Sequence, residues 1–90
     1  MNIEEIRKNV MIALENVGIF VDVNVEENIE LSNFIEDSIQ FISMIVQFEE
    51  LFCIEIPDEL LTIDEFNFIE KVYTVLDELI NQRISSNNDI

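Results

Sequence analysis

The sequence predicts an all-α domain, a four-helix bundle with three longer helices, one short third helix and a long first loop. Apolar residues recur at helical spacing in three stretches, whereas the one short segment that alternates like a strand has no partner strand. With 49% hydrophobic residues, the 90-residue chain can bury a core despite its many acidic groups. We expect residues 1–84 to form a single domain and the polar residues 85–90 to fray.

The first helix is predicted over residues 2–17. Asn2 can cap its N-terminus, and Glu5 stands at the spacing of a capping box. Gly18, the only glycine of the chain, should end the helix in a left-handed conformation. The apolar positions of this helix are Ile3, Ile6, Val10, Ala13, Leu14 and Val17.

A long, partly ordered loop is predicted over residues 19–36, because helical periodicity weakens there. Three of its apolar residues, Ile29, Leu31 and Phe34, are expected to pin the loop across the helices. A calcium-binding loop is not expected, since Asp22, Asn24 and Glu26 lack the glycine and the terminal glutamate of that motif.

The second helix is predicted over residues 38–52, where Phe41, Ile45, Phe48 and Phe52 follow one another at spacings of four, three and four. These four side chains should form its core face. Pro57 favours the first turn of a new helix, so the short third helix is expected over residues 58–61.

The last helix should begin after Phe66 or Asn67, with Asn67 as its N-cap, and should end near Arg83. Its side chains expected to face the core are Ile69, Val72, Tyr73, Leu76, Leu79 and Ile80.

The charge of the chain limits its partners. Twenty acidic residues against four basic ones give a net charge of −16, which should repel nucleic acid and anionic membranes and attract basic proteins. No secretory signal or membrane span is recognisable, and a reduced cytoplasmic location fits a chain with one cysteine.

The composition also argues against an enzyme. The chain has no histidine and a lone Cys53, so it cannot form an internal disulfide, a zinc site of the usual kind or a thiol–imidazole pair. Cys53 is expected to be a packing residue at the end of the second helix. No metal site and no catalytic constellation are predicted.

Two linked motifs carry the functional prediction. The first is Asp37-Ser38-Ile39 at the start of the second helix, and the second is the run EELFCIEIPDE at residues 49–59. Asp37 and Ser38 by themselves are compatible with a plain helix cap. Together, at this fixed distance, the motifs strongly resemble the acyl carrier protein family, and the resemblance extends over residues 29–72.

The resemblance implies a carrier of acyl or aminoacyl groups, held as thioesters on a phosphopantetheine arm that is derived from coenzyme A. Ser38 would be the attachment site, and Asp37 would cap the helix and help the modifying enzyme to recognise it. The implied partners are a phosphopantetheinyl transferase and acyl-loading and acyl-transferring enzymes with basic docking surfaces. The carrier would be a monomer and not itself an enzyme. The alternative is an acidic helical adaptor that binds a basic partner and carries no prosthetic group.

A second apolar line on the same helix, Ile39, Ile42 and Val46, has two interpretations. It can widen the core face, as in many surface helices. In the acyl carrier family the corresponding positions contact partner enzymes, so we expect a partly exposed docking stripe edged by Glu36, Asp37 and Glu50.

The chain also departs from the family pattern. Asn33-Phe34-Ile35 stands where relatives commonly have Asp-Leu-Gly, so the glycine turn is missing. Gln40 and Ser43 replace acids that are frequent in carriers of fatty acid synthesis. These differences favour a specialised carrier, working with a polyketide or nonribosomal peptide assembly line or with a dedicated acyltransferase.

Overall fold

Three α-helices form the body of the described part of the chain. A computed structural model describes residues 2–21 and 28–88, with residues 84–88 described through their backbone alone. Helix α1 spans Ile3–Asn16, α2 spans Ser38–Phe52 and α3 spans Ile69–Asn88. Two single 3₁₀ turns, Leu31–Asn33 and Asp58–Leu60, lie in the connections. The all-α class is confirmed for these ranges, in which no β-strand occurs.

Both ends of α1 follow from local sequence. The Asn2 side chain accepts a hydrogen bond from the Glu5 backbone N–H at 2.9 Å, as predicted for the N-cap. At the other end Gly18 adopts a φ of 81°. The Ile19 N–H donates to the Leu14 carbonyl at 2.8 Å, and the Gly18 N–H donates to the Glu15 carbonyl at 3.1 Å. This is the Schellman arrangement, which needs a left-handed residue.

The core lies between the three helices, and α1 packs against both α2 and α3. The four side chains predicted for the core face of α2 are buried, and Met44 joins them. Phe48 is fully buried, and the centroid of its ring lies 6.4 Å from that of Phe52 and 6.1 Å from that of Phe66. Helix α1 contributes Ile6, Val10, Ala13 and Leu14, and α3 contributes Ile69, Val72, Tyr73, Val75, Leu76, Leu79 and Ile80. No polar or charged side chain is buried in the described part of the chain.

Helix α3 is capped by the first loop, and the prediction that Asn67 caps it is wrong. The helix begins at Ile69, whose N–H donates to the Ile29 carbonyl at 2.9 Å, and the Asn28 side chain accepts from the Glu70 N–H at 3.1 Å. The Asn67 side chain instead accepts from the Ser32 N–H at 2.9 Å. The first loop therefore caps α3, and the residue Asn67 before α3 caps the 3₁₀ turn of the first loop. Sequence spacing does not reveal these contacts.

The predicted third helix is a single 3₁₀ turn, so a bundle of four α-helices is not confirmed. The Leu60 N–H donates to the Pro57 carbonyl at 2.9 Å, and the Leu61 N–H donates to the Asp58 carbonyl at 3.1 Å. None of the residues of this turn is buried. Tertiary packing normally supplies most of a helix's stability, and in this turn Leu60 alone packs against the core, partly buried.

The end of α2 corrects the prediction for Cys53. Its backbone is left-handed, with φ 53° and ψ 48°, and its thiol is exposed rather than packed. The Arg83 guanidinium donates to the carbonyls of Phe52 and Cys53 at 2.7 and 3.1 Å. A cation therefore stabilises the negative end of the helix dipole, and this contact joins α2 to α3.

Helix α3 continues beyond its predicted end near Arg83 and reaches Asn88. Residues 85–88 are helical, and residues 89 and 90 lie outside the described residues. The sequence after Arg83 has no glycine or proline to stop the helix, and extending an existing helix costs little. Within the described ranges, no helix is both long enough and apolar enough to cross a membrane.

The first loop is held by two of its three predicted anchors. Ile29 and Leu31 are buried, but Phe34 is exposed, so its predicted role as an anchor is wrong. Phe34 comes directly after the 3₁₀ turn Leu31–Asn33, and Leu31 is the buried residue of that turn. The predictions for residues 22–27, including the absence of a calcium loop, lie outside the described residues.

Replacing Phe48 with alanine is expected to lower the free energy of unfolding by about 3 to 5 kcal/mol, because it removes a fully buried ring. Chemical denaturation followed by circular dichroism measures this change. Phe20→Ala is the matched control, since Phe20 is 74% exposed and its loss should change stability little. Equal effects of the two substitutions would show that Phe48 is not at the centre of the core.

Candidate functional site

Ser38 is the first residue of α2 and its side chain is exposed. Asp37 precedes it as the N-cap, with an extended backbone at φ −156° and ψ 176°. The Asp37 carboxylate accepts a hydrogen bond from the Gln40 N–H at 2.8 Å. The predicted cap is therefore present, and it leaves the Ser38 hydroxyl at an accessible helix start.

An apolar cleft opens beside Ser38. It has a volume of about 290 Å³ and lies between the first loop, the start of α2 and the segment after the second 3₁₀ turn. Its lining residues are Ser32, Ile35, Asp37, Ser38, Phe41 and Ile63. The aliphatic and aromatic groups supply most of the wall, so the site combines a surface hydroxyl with space for an apolar group.

The wall of this cleft is built without the glycine turn of the acyl carrier pattern. The N–H groups of Phe34 and Ile35 donate to the Leu31 carbonyl at 2.9 and 3.0 Å. Phe34 has a φ of −117°, and the described residues with positive φ are Gly18 and Cys53. Because this turn needs no left-handed residue, Ile35 can replace a glycine and contribute its side chain to the cleft.

The second apolar line of α2 faces solvent. Ile39, Ile42 and Val46 are 77%, 50% and 42% exposed. Their spacing of three and four residues places them on one face of the helix. The alternative of a wider core stripe is therefore wrong. Glu36, Asp37 and Glu50, predicted to edge the stripe, are exposed as well.

The run at residues 49–59 holds the connection that follows α2. Ile54 and Ile56 are buried, and the Glu49 carboxylate accepts a hydrogen bond from the Ile56 N–H at 3.0 Å. The first acid of the run thus has a structural role, whereas Glu50 remains at the surface. Glu49 and Glu50 are neighbouring acids in the sequence, but in the structure Glu49 bonds to the backbone and Glu50 is exposed.

Three of the four basic residues contact groups away from Ser38. The Arg7 guanidinium lies 5.6 Å from the centroid of the Tyr73 ring, Arg83 contacts the end of α2, and Lys71 is 3.5 Å from the Glu65 carboxylate. Burial raises the pKa of Tyr73 despite the opposing effect of Arg7. These three cations are engaged with Tyr73, Glu65 and the end of α2, while the carboxylates of Glu36 and Asp37 are exposed at the start of α2.

Comparison of the chain with family models, with curated proteins and with solved structures found no match. Within the described ranges, no group of three or more His, Cys, Asp or Glu side chains could hold a metal ion.

The structure adds Gln40, Ile35 and Ile63 to the site, and the sequence predicts none of them there. Ile35 and Ile63 line the cleft, although they are far apart in the chain. Gln40 contacts the loop before Ser38. One sequence signal could have identified it, because a glutamine three residues after an Asp cap has the spacing of a capping box.

Asp37→Ala is expected to reduce stability by about 1 kcal/mol, because the Gln40 N–H loses its cap. Asp37→Asn should retain nearly full stability, since asparagine caps helices as well as aspartate does. Thermal or chemical unfolding distinguishes these outcomes. A loss of stability in Asp37→Asn as large as that in Asp37→Ala would mean that charge, rather than the hydrogen bond, stabilises the helix start.

Proposed function

We propose that this chain is an acyl carrier, which holds acyl or aminoacyl groups as thioesters on a phosphopantetheine arm attached to Ser38. The observation that carries the proposal is an exposed serine at the first position of a capped helix, beside an apolar cleft. The two-part motif supports it. In this proposal the fold is an acyl-carrier bundle, with the Asp58–Leu60 turn in the place of the short third helix.

Attachment would be a transfer from coenzyme A catalysed by a separate transferase. The Ser38 oxygen attacks the phosphorus that carries the pantetheine, and a new oxygen–phosphorus bond forms. The pyrophosphate bond of coenzyme A breaks, the adenosine bisphosphate half leaves, and the serine proton is released. The product is a phosphodiester with a terminal thiol, and the chain itself needs no catalytic group.

The helix start is a favourable place for that phosphodiester. The first N–H groups of a helix have no carbonyl partners within it, and the helix dipole places partial positive charge there. Asp37 occupies the Gln40 N–H and leaves the amides of Ser38 and Ile39 at the open turn. These groups partly offset the repulsion between a phosphate and the acidic side chains around it.

The cleft and the arm have complementary roles in this proposal. The flexible arm raises the effective concentration of its cargo near each partner's active site. An apolar acyl group could fold back against Ile35, Phe41 and Ile63 between transfers, because burial of apolar surface is favourable. The thioester would then be less exposed to water.

The exposed stripe of α2 provides a docking surface for the partner enzymes. Ile39, Ile42 and Val46 offer an apolar strip, and Glu36, Asp37 and Glu50 offer charge at its edges. A partner with an apolar patch bordered by basic residues would complement this surface. Docking there would bring the partner's active site close to Ser38, since the stripe begins at the next residue.

Incubation with coenzyme A and broad-specificity phosphopantetheinyl transferases is expected to add one phosphopantetheinyl group, seen in the intact mass. Ser38→Ala should abolish the addition. Ser32→Ala is the matched control, since Ser32 is an exposed serine of the same cleft and its loss should leave modification intact. An unchanged wild-type mass with several transferases would contradict the proposal and leave the acidic adaptor as the alternative.

Val46→Asp is expected to leave the fold nearly intact and to slow loading and unloading by partner enzymes about tenfold, because a charge in the stripe must be desolvated on docking. Melting curves and steady-state kinetics measure the two effects. Ile12→Asp is the matched control, since Ile12 on α1 is 37% exposed. If Val46→Asp unfolds the domain as badly as Phe48→Ala, or if loading is unaffected, the docking assignment is wrong.

A further inference from the structure

We infer that Gln40 is a positioning residue, which holds the segment before α2 so that Ser38 is presented to the transferase; this inference rests on the proposed function. The Gln40 side-chain oxygen accepts a hydrogen bond from the Glu36 N–H at 2.7 Å. Its side-chain nitrogen donates to the Val17 carbonyl at 3.1 Å. One half-buried side chain therefore connects the end of α1 with the residue before the cap of α2.

These bonds close a ring around Ser38. The Gln40 side chain reaches back to Glu36, while the Asp37 side chain reaches forward to the Gln40 backbone at 2.8 Å. Ser38 lies between the two anchors, so its backbone is held together with theirs. The bond to Val17 then fixes the ring relative to α1, so the position of the Ser38 backbone and Cβ is set with respect to the body of the domain.

An amide is the group that this position requires. One end of the side chain must accept a hydrogen bond from an N–H, and the other must donate to a carbonyl. A carboxylate can only accept, and it would face the carbonyl at the negative end of the α1 dipole. A Cβ at Gly18 would lie 3.7 Å from the Gln40 nitrogen, an ordinary van der Waals distance, so position 18 requires glycine for its positive φ and not for space.

This requirement gives a physical account of one departure from the acyl carrier pattern. The resemblance leads one to expect an acid where Gln40 stands. In this chain the residue is an uncharged amide, and its polar atoms are directed to Glu36 and Val17. The Gln40 amide, which holds the backbone, thus stands in place of an acid that would be available to partners.

The test compares Gln40→Met with Gln47→Met in the full chain. Methionine is similar in length to glutamine and makes neither hydrogen bond. Gln47 is the matched control, because it also lies on α2 and its side chain also bonds to α1, accepting from Asn16 at 3.1 Å. The rates are measured with coenzyme A and a phosphopantetheinyl transferase, at a temperature where both variants are folded by circular dichroism.

Gln40→Met is expected to lower kcat for modification of Ser38 about tenfold with little change in the KM for the carrier, because the nucleophile is misplaced while the docking surface is retained. Gln47→Met should have near wild-type kinetics. Amide hydrogen exchange should show faster exchange at Glu36 in Gln40→Met and unchanged exchange there in Gln47→Met. A loss of stability alone would not separate kcat from KM in this way.

Three results would overturn the inference: a wild-type kcat in Gln40→Met, an equal loss of kcat in Gln47→Met, or unchanged exchange at Glu36 in Gln40→Met. Each of these leaves Ser38 modification itself in place and so concerns Gln40 alone. A wild-type chain that no transferase modifies would instead contradict the proposed function, and the role of Gln40 would fall with it.

Discussion

Burial of one face of α2 is the interaction on which the rest of the structure depends. Phe41, Ile45, Phe48 and Phe52 face the core together with Met44, and α1 packs against both α2 and α3. Because a helix is rigid, this burial fixes its rotation about its axis. Ile39, Ile42 and Val46 must then face solvent, and Ser38 must open toward the surface. Helix α2 thus contributes one apolar face to the core and exposes a second apolar face to solvent.

Polar interactions define the ends of the elements rather than the core. No buried polar side chain occurs in the described part of the chain, and the side-chain hydrogen bonds concentrate at helix termini and loops. The chain has only one glycine and one proline to terminate its helices. Asn28 and Arg83 therefore cap helix ends from distant parts of the sequence. This arrangement satisfies orphan backbone groups and at the same time joins the helices.

The strong negative charge is compatible with this fold because the acids remain at the surface. The contacts of Arg7, Lys71 and Arg83 use most of the available positive charge within the molecule. The surface left for partners is therefore acidic, with an apolar strip on α2. Such a surface suits the proposed carrier, which needs a fixed attachment point, a docking strip and no catalytic group. In the proposed carrier, the Ser38 attachment point, the apolar strip of α2 and the acidic surface all serve the transfer of a tethered group to partner enzymes.

The sequence by itself determined α1 and α2, their N-caps, the glycine end of α1 and the two faces of α2. These features depend on residues within four or five positions of one another, so spacing and residue type are sufficient. It also located Ser38 at a helix start, because Asp37 caps locally.

Only the tertiary structure decided the cap of α3, the left-handed Cys53, the cleft and the contacts of Gln40. Asn28 and Glu70 are 42 residues apart, and Gln40 and Val17 are 23 apart. Cys53 has a left-handed backbone, and its carbonyl accepts a hydrogen bond from Arg83, 30 residues away. Partners at such distances leave no periodic signal in a single sequence, because packing rather than local preference brings them together.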